Sequence, residues 1–300
     1  MYEPFYFQLS RELSCRAEML KRILSNCTLC PQECRVNRLA GELGVCGAPA
    51  EPVVSSCFPH FGEERPLVGT NGSGTIFLTH CNLKCIFCQN NDISHYGSGR
   101  PVEITDIANM MLTLQQLGCH NINFVTPTHY TAHIVSAIAI AAENGLHIPL
   151  VYNSSGYDSV ETLKLLDGII DIYMPDAKFA DNETARKYTQ ADNYADAMYA
   201  ALKEMHQQVG VLQINNQGVA ERGVLIRHLV MPGGIVGSER IFKFIAEELS
   251  PHSYVNIMAQ YYPSHRANEF PELNRRVTHQ EMLDAYTAAR KYGLHRGFPE

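Results

Sequence analysis

The chain has 300 residues, 45% of them apolar, enough for one large α/β domain with a small appendage. Its net charge of −7 lacks the basic footprint of a nucleic-acid binder. No apolar run reaches the roughly 18 residues of a membrane span, and the start, Met1-Tyr-Glu-Pro-Phe-Tyr-Phe7, has no signal-peptide pattern. A cytoplasmic chain with no membrane or nucleic-acid partner is expected.

In chain order, Leu9, Leu13, Ala17, Leu20 and Leu24 predict an amphipathic helix over 8–25. Residues 26–72 are rich in Cys, Gly and Pro and predict an irregular, metal-stapled segment. The expected division is therefore 1–72, a helix with a metal-binding segment, and 73–300, the core domain. From residue 75 onward, strands are predicted at 75–79, 121–126, 147–152, 168–173, 223–230 and 253–259. Helices are predicted at 104–117, 131–144, 159–166, 184–208, 237–249 and 279–291. Six β-then-α units imply a right-handed parallel sheet. Six are too few for an ordinary eight-stranded barrel, so the fold class is α/β, a partial (β/α)6 barrel. Residues 211–220, with a turn signal at 215–218, predict a small β excursion before the fifth core strand.

Ten cysteines without a signal peptide favour metal ligation over disulfides. Cys15, Cys57 and Cys119 stand alone and are expected to be small buried residues. Cys27, Cys30, Cys34 and Cys46 form C-x2-C-x3-C-x11-C, a closed four-thiol metal site for zinc or a second iron–sulfur cluster. Cys81, Cys85 and Cys88 form C-x3-C-x2-C at the end of the first core strand. Structural zinc wants four ligands, usually in two pairs, which this uneven triplet fits poorly. Three thiolates on a four-iron cluster leave one iron open to a substrate or cofactor.

The triplet, with Phe87 before its last Cys, resembles the hallmark of radical S-adenosylmethionine (SAM) enzymes. Gln89-Asn-Asn91 and the segment Gly223-Val-Leu-Ile-Arg-His-Leu-Val-Met-Pro-Gly233 resemble the pyruvate formate-lyase activating enzymes and their relatives, over residues 27–295. The resemblance implies the same partial barrel, a [4Fe–4S] cluster on Cys81, Cys85 and Cys88, and SAM bound at its open iron. It implies a one-electron donor such as flavodoxin or ferredoxin. Reductive cleavage of SAM would give a 5′-deoxyadenosyl radical that abstracts hydrogen, in the activating enzymes from a glycine of a partner protein. Another peptide or a small molecule is the alternative substrate. A non-catalytic electron carrier is the alternative of another class, and it would need no SAM pocket.

Ligands in parallel α/β sheets collect beyond the carboxyl ends of strands, where this chain repeatedly places polar residues. Thr126 and Thr128 stand where the family has Gly-Gly-Glu, and are candidates for the SAM ammonium or for capping the next helix. Asn153, Ser154 and Ser155 are candidates for the SAM carboxylate or ribose, or for a helix cap that Asp158 could supply instead. Asp176 and Lys178 resemble the family's Asp-Leu-Lys element and would hold the methionine end of SAM, the alternative being a surface ion pair. His228 resembles the element near the ribose and adenine. On a regular strand Arg227 points to the opposite face, so only one of the two faces the barrel interior. Tyr157, Tyr261 and His129 are further candidates for the substrate side.

Overall fold

Parallel strands covered on both faces read as short apolar runs separated by helices, and that pattern sets the architecture here. The computed structural model describes residues 3–298. Its helices and strands, in order, are α1 (Ser10–Ile23), β1 (Val53–His60), α2 (Arg65–Val68), β2 (Ser73–Leu78), α3 (Asn91–Ser94), β3 (Arg100–Pro101) and α4 (Ile104–Gln116). They continue with β4 (Ile122–Val125), α5 (Thr131–Glu143), β5 (Leu150–Ser154), α6 (Val160–Lys164), β6 (Ile172–Pro175), α7 (Asn182–Thr189) and α8 (Tyr194–Val209). The last are β7 (Gln213–Ile214), β8 (Ala220–Leu229), α9 (Ser238–Phe244), β9 (Tyr254–Met258) and α10 (His279–Lys291).

Strands β2, β4, β5, β6, β8 and β9 pair in that order, all parallel. These are the six strands the sequence predicts. β1 lies antiparallel on the outer edge of β2, with β3 antiparallel on β1, so β2 is closed off on that side by β1. The excursion predicted over 211–220 is β7, antiparallel to β8. Outward-facing strand residues pack under the helices in the main core, while Leu67, Val151, Ile172, Met174, Leu212, Ala220 and Leu225 form an inner cluster. Leu67, on the one-turn helix α2, is fully buried there and plugs the concave side of the sheet. A buried Leu side chain contributes about 1.5–3 kcal/mol, which fixes the 61–68 loop inside the curve of the sheet. No helix among the described residues is long and apolar enough to cross a membrane.

Four local expectations are corrected. The stretch 26–72 is not irregular throughout, because β1 and α2 lie within it. The strands expected at 147–152 and 168–173 begin later, at Leu150 and Ile172, which carries Asn153 and Ser154 into β5 itself. The single helix expected over 184–208 is two, broken after Thr189 where Gln190 turns left-handed at φ 61°. Cys15 is exposed, not buried.

Candidate active site

The loop after β2 is shaped by backbone bonds from distant elements. The amides of Lys84 and Ile86 donate to the carbonyls of Thr189 and Tyr188 at 3.0 Å each. These are terminal carbonyls of α7, free because a helix leaves its last carbonyls without internal partners. The helix break at Gln190 thus has a use: it presents those acceptors to the cysteine loop. Farther along, the Arg266 amide donates to the Ile86 carbonyl at 2.8 Å, and the His80 amide to Ile93 at 3.0 Å. Phe87 is buried against Phe179 and Tyr261, with ring centroids 6.0 and 6.3 Å away.

So held, Cys81, Cys85 and Cys88 line one wall of a cavity of about 420 Å³ on the concave side of the sheet. Their thiols influence one another electrostatically, and burial pushes Cys81 up to about 11 and Cys85 higher still. The Lys178 ammonium opposes that rise at both thiols. The Leu83 amide points at the Cys81 sulfur, 3.4 Å away. Three converging sulfurs with a cation and an amide donor beside them suit a thiolate-held anionic cluster.

Opposite the thiols stands a charged network. Asp176 bonds Arg227 Nε through Oδ1 at 2.8 Å and the Lys178 ammonium through Oδ2. Arg227 also donates to the Asn153 amide oxygen at 2.8 Å. Burial works to raise the Asp176 carboxyl, but Arg227 and Lys178 outweigh it and hold it below the usual carboxylate range. Burial likewise works against the Lys178 charge, and Asp176 outweighs it, so Lys178 stays cationic well past neutrality. The close approach depends on Gly156, at φ 75°, since a Cβ there would sit 2.2 Å from the Asp176 carbonyl oxygen.

Thr126, Asn153, Ser154, Ser155, Asp176 and Lys178 all line the cavity with the three cysteines. Asp176 and Lys178 are not a surface pair; their side chains are 13% and 17% exposed. Three expected residues turn their side chains elsewhere, Ser154 among them, whose hydroxyl donates to Asp158 at 2.6 Å although the residue edges the cavity. Thr128 is buried, and its hydroxyl donates to Asp158 at 2.7 Å, in a network with Ser154 and Tyr152. His228 is fully buried on the outer face of β8, with Nδ1 2.7 Å from the Ala177 carbonyl and Nε2 2.9 Å from the Ser238 hydroxyl. Burial lowers its pKa to about 4, so it is a neutral, structural histidine. Arg227 takes the inward position instead. His129, Tyr157 and Tyr261 are spent on internal bonds to Thr79, Asn193 and Leu273.

Sequence reasoning missed Glu63 and Glu64, which reach the cavity floor because the 61–68 loop plugs the sheet. Glu64 accepts from the Asn256 amide at 3.0 Å, and its second oxygen is buried without a partner. Burial, with Glu64 alongside, lifts Glu63 to about 7 against the pull of Arg227. A carboxyl whose folded pKa lies above its unfolded value stabilises the fold fully below the unfolded pKa. That stability is lost as pH rises through the folded pKa. The window runs from the ordinary 4.5 to about 7. Glu63→Gln is therefore expected to lack that loss and to exceed the wild type by about 1–3 kcal/mol at pH 8, with little gain at pH 4.5. Urea unfolding at the two pH values measures this, and parallel pH dependence in both proteins would overturn the assignment.

Residues 75–233 match the model of the Radical SAM superfamily, spanning the cysteine triplet and the strand ends that line the cavity. The chain belongs to the radical SAM superfamily. It is 35% identical over 291 residues to the uncharacterized protein MJ0674 of Methanocaldococcus jannaschii, covering 94% of this chain and 79% of that one. Among solved structures it is similar to TYW1 with a lysine–pyruvate adduct bound, at 12% identity and TM-score 0.47, covering 72% of this chain and 73% of that one. It is also similar to the cobalamin-dependent SAM radical enzyme OxsB, at 12% identity and TM-score 0.40, covering 74% and 31%. Membership implies a [4Fe–4S] cluster and SAM, and the three thiols facing the cavity fit that cluster.

Proposed function

We propose that this radical SAM enzyme abstracts hydrogen from the backbone of a partner protein, at a glycine, in the manner of an activating enzyme. The cluster and SAM, when bound, supply a 5′-deoxyadenosyl radical. Cys81, Cys85 and Cys88 hold the cluster. Asn153, Ser154, Ser155, Thr126 and the Asp176–Lys178–Arg227 network line the space for SAM, with Lys178 and Arg227 suited to its carboxylate and Asp176 orienting both. The observation that carries the peptide reading is the set of side-chain amides in the cavity lining, Gln89, Asn90, Asn256 and Gln260, of which Gln89, Asn256 and Gln260 each donate one N–H within the protein and have a second to offer. Primary amides offer donor and acceptor together, which matches the N–H and C=O of an extended peptide. An external one-electron carrier of the flavodoxin or ferredoxin type reduces the protein, and the four N-terminal cysteines hold a second metal centre.

One observation favours a small-molecule or side-chain substrate instead. Glu63 and Glu64 on the cavity floor suit a cationic group, and the second oxygen of Glu64 has no partner. Anaerobic incubation with SAM, reductant and extracts from cells grown on deuterated glycine separates the two. Deuterium in 5′-deoxyadenosine that disappears when extract proteins are removed supports the protein substrate. Deuterium that survives their removal supports the small molecule.

A further inference from the structure

We infer that the protein substrate docks on an aromatic ledge at the mouth of the active-site cavity, as an extended segment that lays an apolar side chain on the ledge and a Lys or Arg side chain on Glu63 and Glu64. This rests on the proposed reading of a protein substrate and gives the docking segment its chemistry.

The space available is the first argument. A drug-sized ligand takes a pocket of roughly 300–1,000 Å³. SAM alone therefore uses most of the cavity of about 420 Å³, and only one group of a second ligand reaches in beside it. The body of the substrate lies outside, where the sheet is open. Among the described residues β1 and β9 do not pair, and across the gap between them the Asn256 amide on β9 bonds Glu64 at 3.0 Å.

One side of that gap is aromatic. His60 on β1 and Phe77 on β2 line the cavity, and Phe58 carries the wall outward. Phe58 stacks on Phe77 with ring centroids 5.6 Å apart and meets His60 edge to face at 5.5 Å. His60 meets Phe77 at 5.9 Å, so the three rings form one surface. Strand alternation puts Phe58 and His60 on one face of β1 and turns Cys57 to the main core behind it. Phe58 is 41% exposed, and Phe61, beside His60, is 62% exposed. Clustered exposed rings that run into a cavity mark a binding surface, whereas single exposed apolar residues do not.

The inner end of the ledge is acidic. Glu63 and Glu64 lie on the same loop as Phe61 and line the cavity. Among the described residues no Lys or Arg lies within ion-pair distance of either. Arg227, whose charge bears on Glu63, is bonded to Asp176 and Asn153 instead. The second oxygen of Glu64 is buried without a partner. An unpaired buried acceptor is costly, and a bound ammonium or guanidinium removes that cost while its apolar stem runs along the rings. A small free amine would satisfy the carboxylates and leave the ledge bare. A polypeptide segment covers both.

Cluster-loaded full-length protein with SAM bound tests this against short synthetic peptides that carry a central deuterated glycine. An aromatic residue is scanned through the flanking positions, with Lys or Glu at the others. By fluorescence anisotropy, at least one Lys peptide is expected to bind roughly tenfold or more tightly than its Glu counterpart, a comparison that needs no variant. Phe58→Ser should weaken that peptide roughly two- to tenfold with unchanged far-UV circular dichroism. Glu64→Gln should remove most of the preference for Lys. A scan with no preference for Lys, or a Phe58→Ser protein that binds like the wild type, overturns the docking site. Loss of SAM affinity in Glu64→Gln would give the acidic pair to the SAM ammonium and overturn the basic subsite. If the preferred peptide binds and its deuterium never reaches 5′-deoxyadenosine, the glycine reading fails while the docking site stands. Deuterium transfer that neither variant alters supports the glycine reading and overturns the docking site.

Discussion

Single replacement of Cys81, Cys85 or Cys88 by Ala is expected to reduce SAM cleavage to background, with loss of the iron bound at the triplet. In a [4Fe–4S] cluster on these residues each thiolate would hold one iron and leave the fourth open. Two thiolates leave the cluster labile and its open corner undefined. The variants should still fold. The loop's shape comes from backbone bonds to Thr189, Tyr188, Ile93 and Arg266 rather than from the thiols. Unchanged far-UV circular dichroism with absent 5′-deoxyadenosine is therefore the expected pair of readings. Cleavage retained in all three variants would return the triplet to a structural role.

Asp176→Ala is expected to weaken SAM binding roughly ten- to thousand-fold while leaving iron content intact. Asp176 is shared by Arg227 and Lys178. Its removal leaves two cations facing one another in a mostly buried space, and breaking a buried pair typically costs a few kcal/mol, at about 1.4 kcal/mol per decade of affinity. Lys178→Ala should weaken binding less, because Asp176 then keeps Arg227 and stays compensated. Equilibrium dialysis of SAM against cluster-loaded protein measures both. Equal affinity in both variants and the wild type would leave the network a structural one.

The parallel sheet was readable because its strands are apolar on both faces, and that same property hid the phase of β8. Val224 and Ile226 share one face and Leu225 and Leu229 the other, so alternation alone does not say whether Arg227 or His228 turns inward. Arg227 does, because Asp176 and Asn153 wait for it across β6 and β5. Thr128 looked like a ligand because it follows a strand, but Asp158, thirty residues on, takes its hydroxyl. That pairing is tertiary and leaves no local trace. Glu63 and Glu64 were out of reach for a different reason. A Cys- and Gly-rich segment gives no sign that its far end will dive under the sheet, and only Leu67, buried in the inner cluster, explains why it does. The C-x3-C-x2-C triplet was legible because its spacing is a property of the chain itself, and the three thiols line the cavity.

The bonds that shape the catalytic loop reach it from Tyr188, Thr189 and Arg266, far along the chain. A ribosome that has made only the first hundred residues has made every catalytic cysteine and almost none of the scaffold that positions them. Long-range closures of this kind form late in folding. Insertion of a cluster after synthesis, into a finished cradle, is the expected order, and loading of the folded apoprotein checks it. A truncation ending before α7 would expose three thiols to solvent oxidants with nothing to hold them in register.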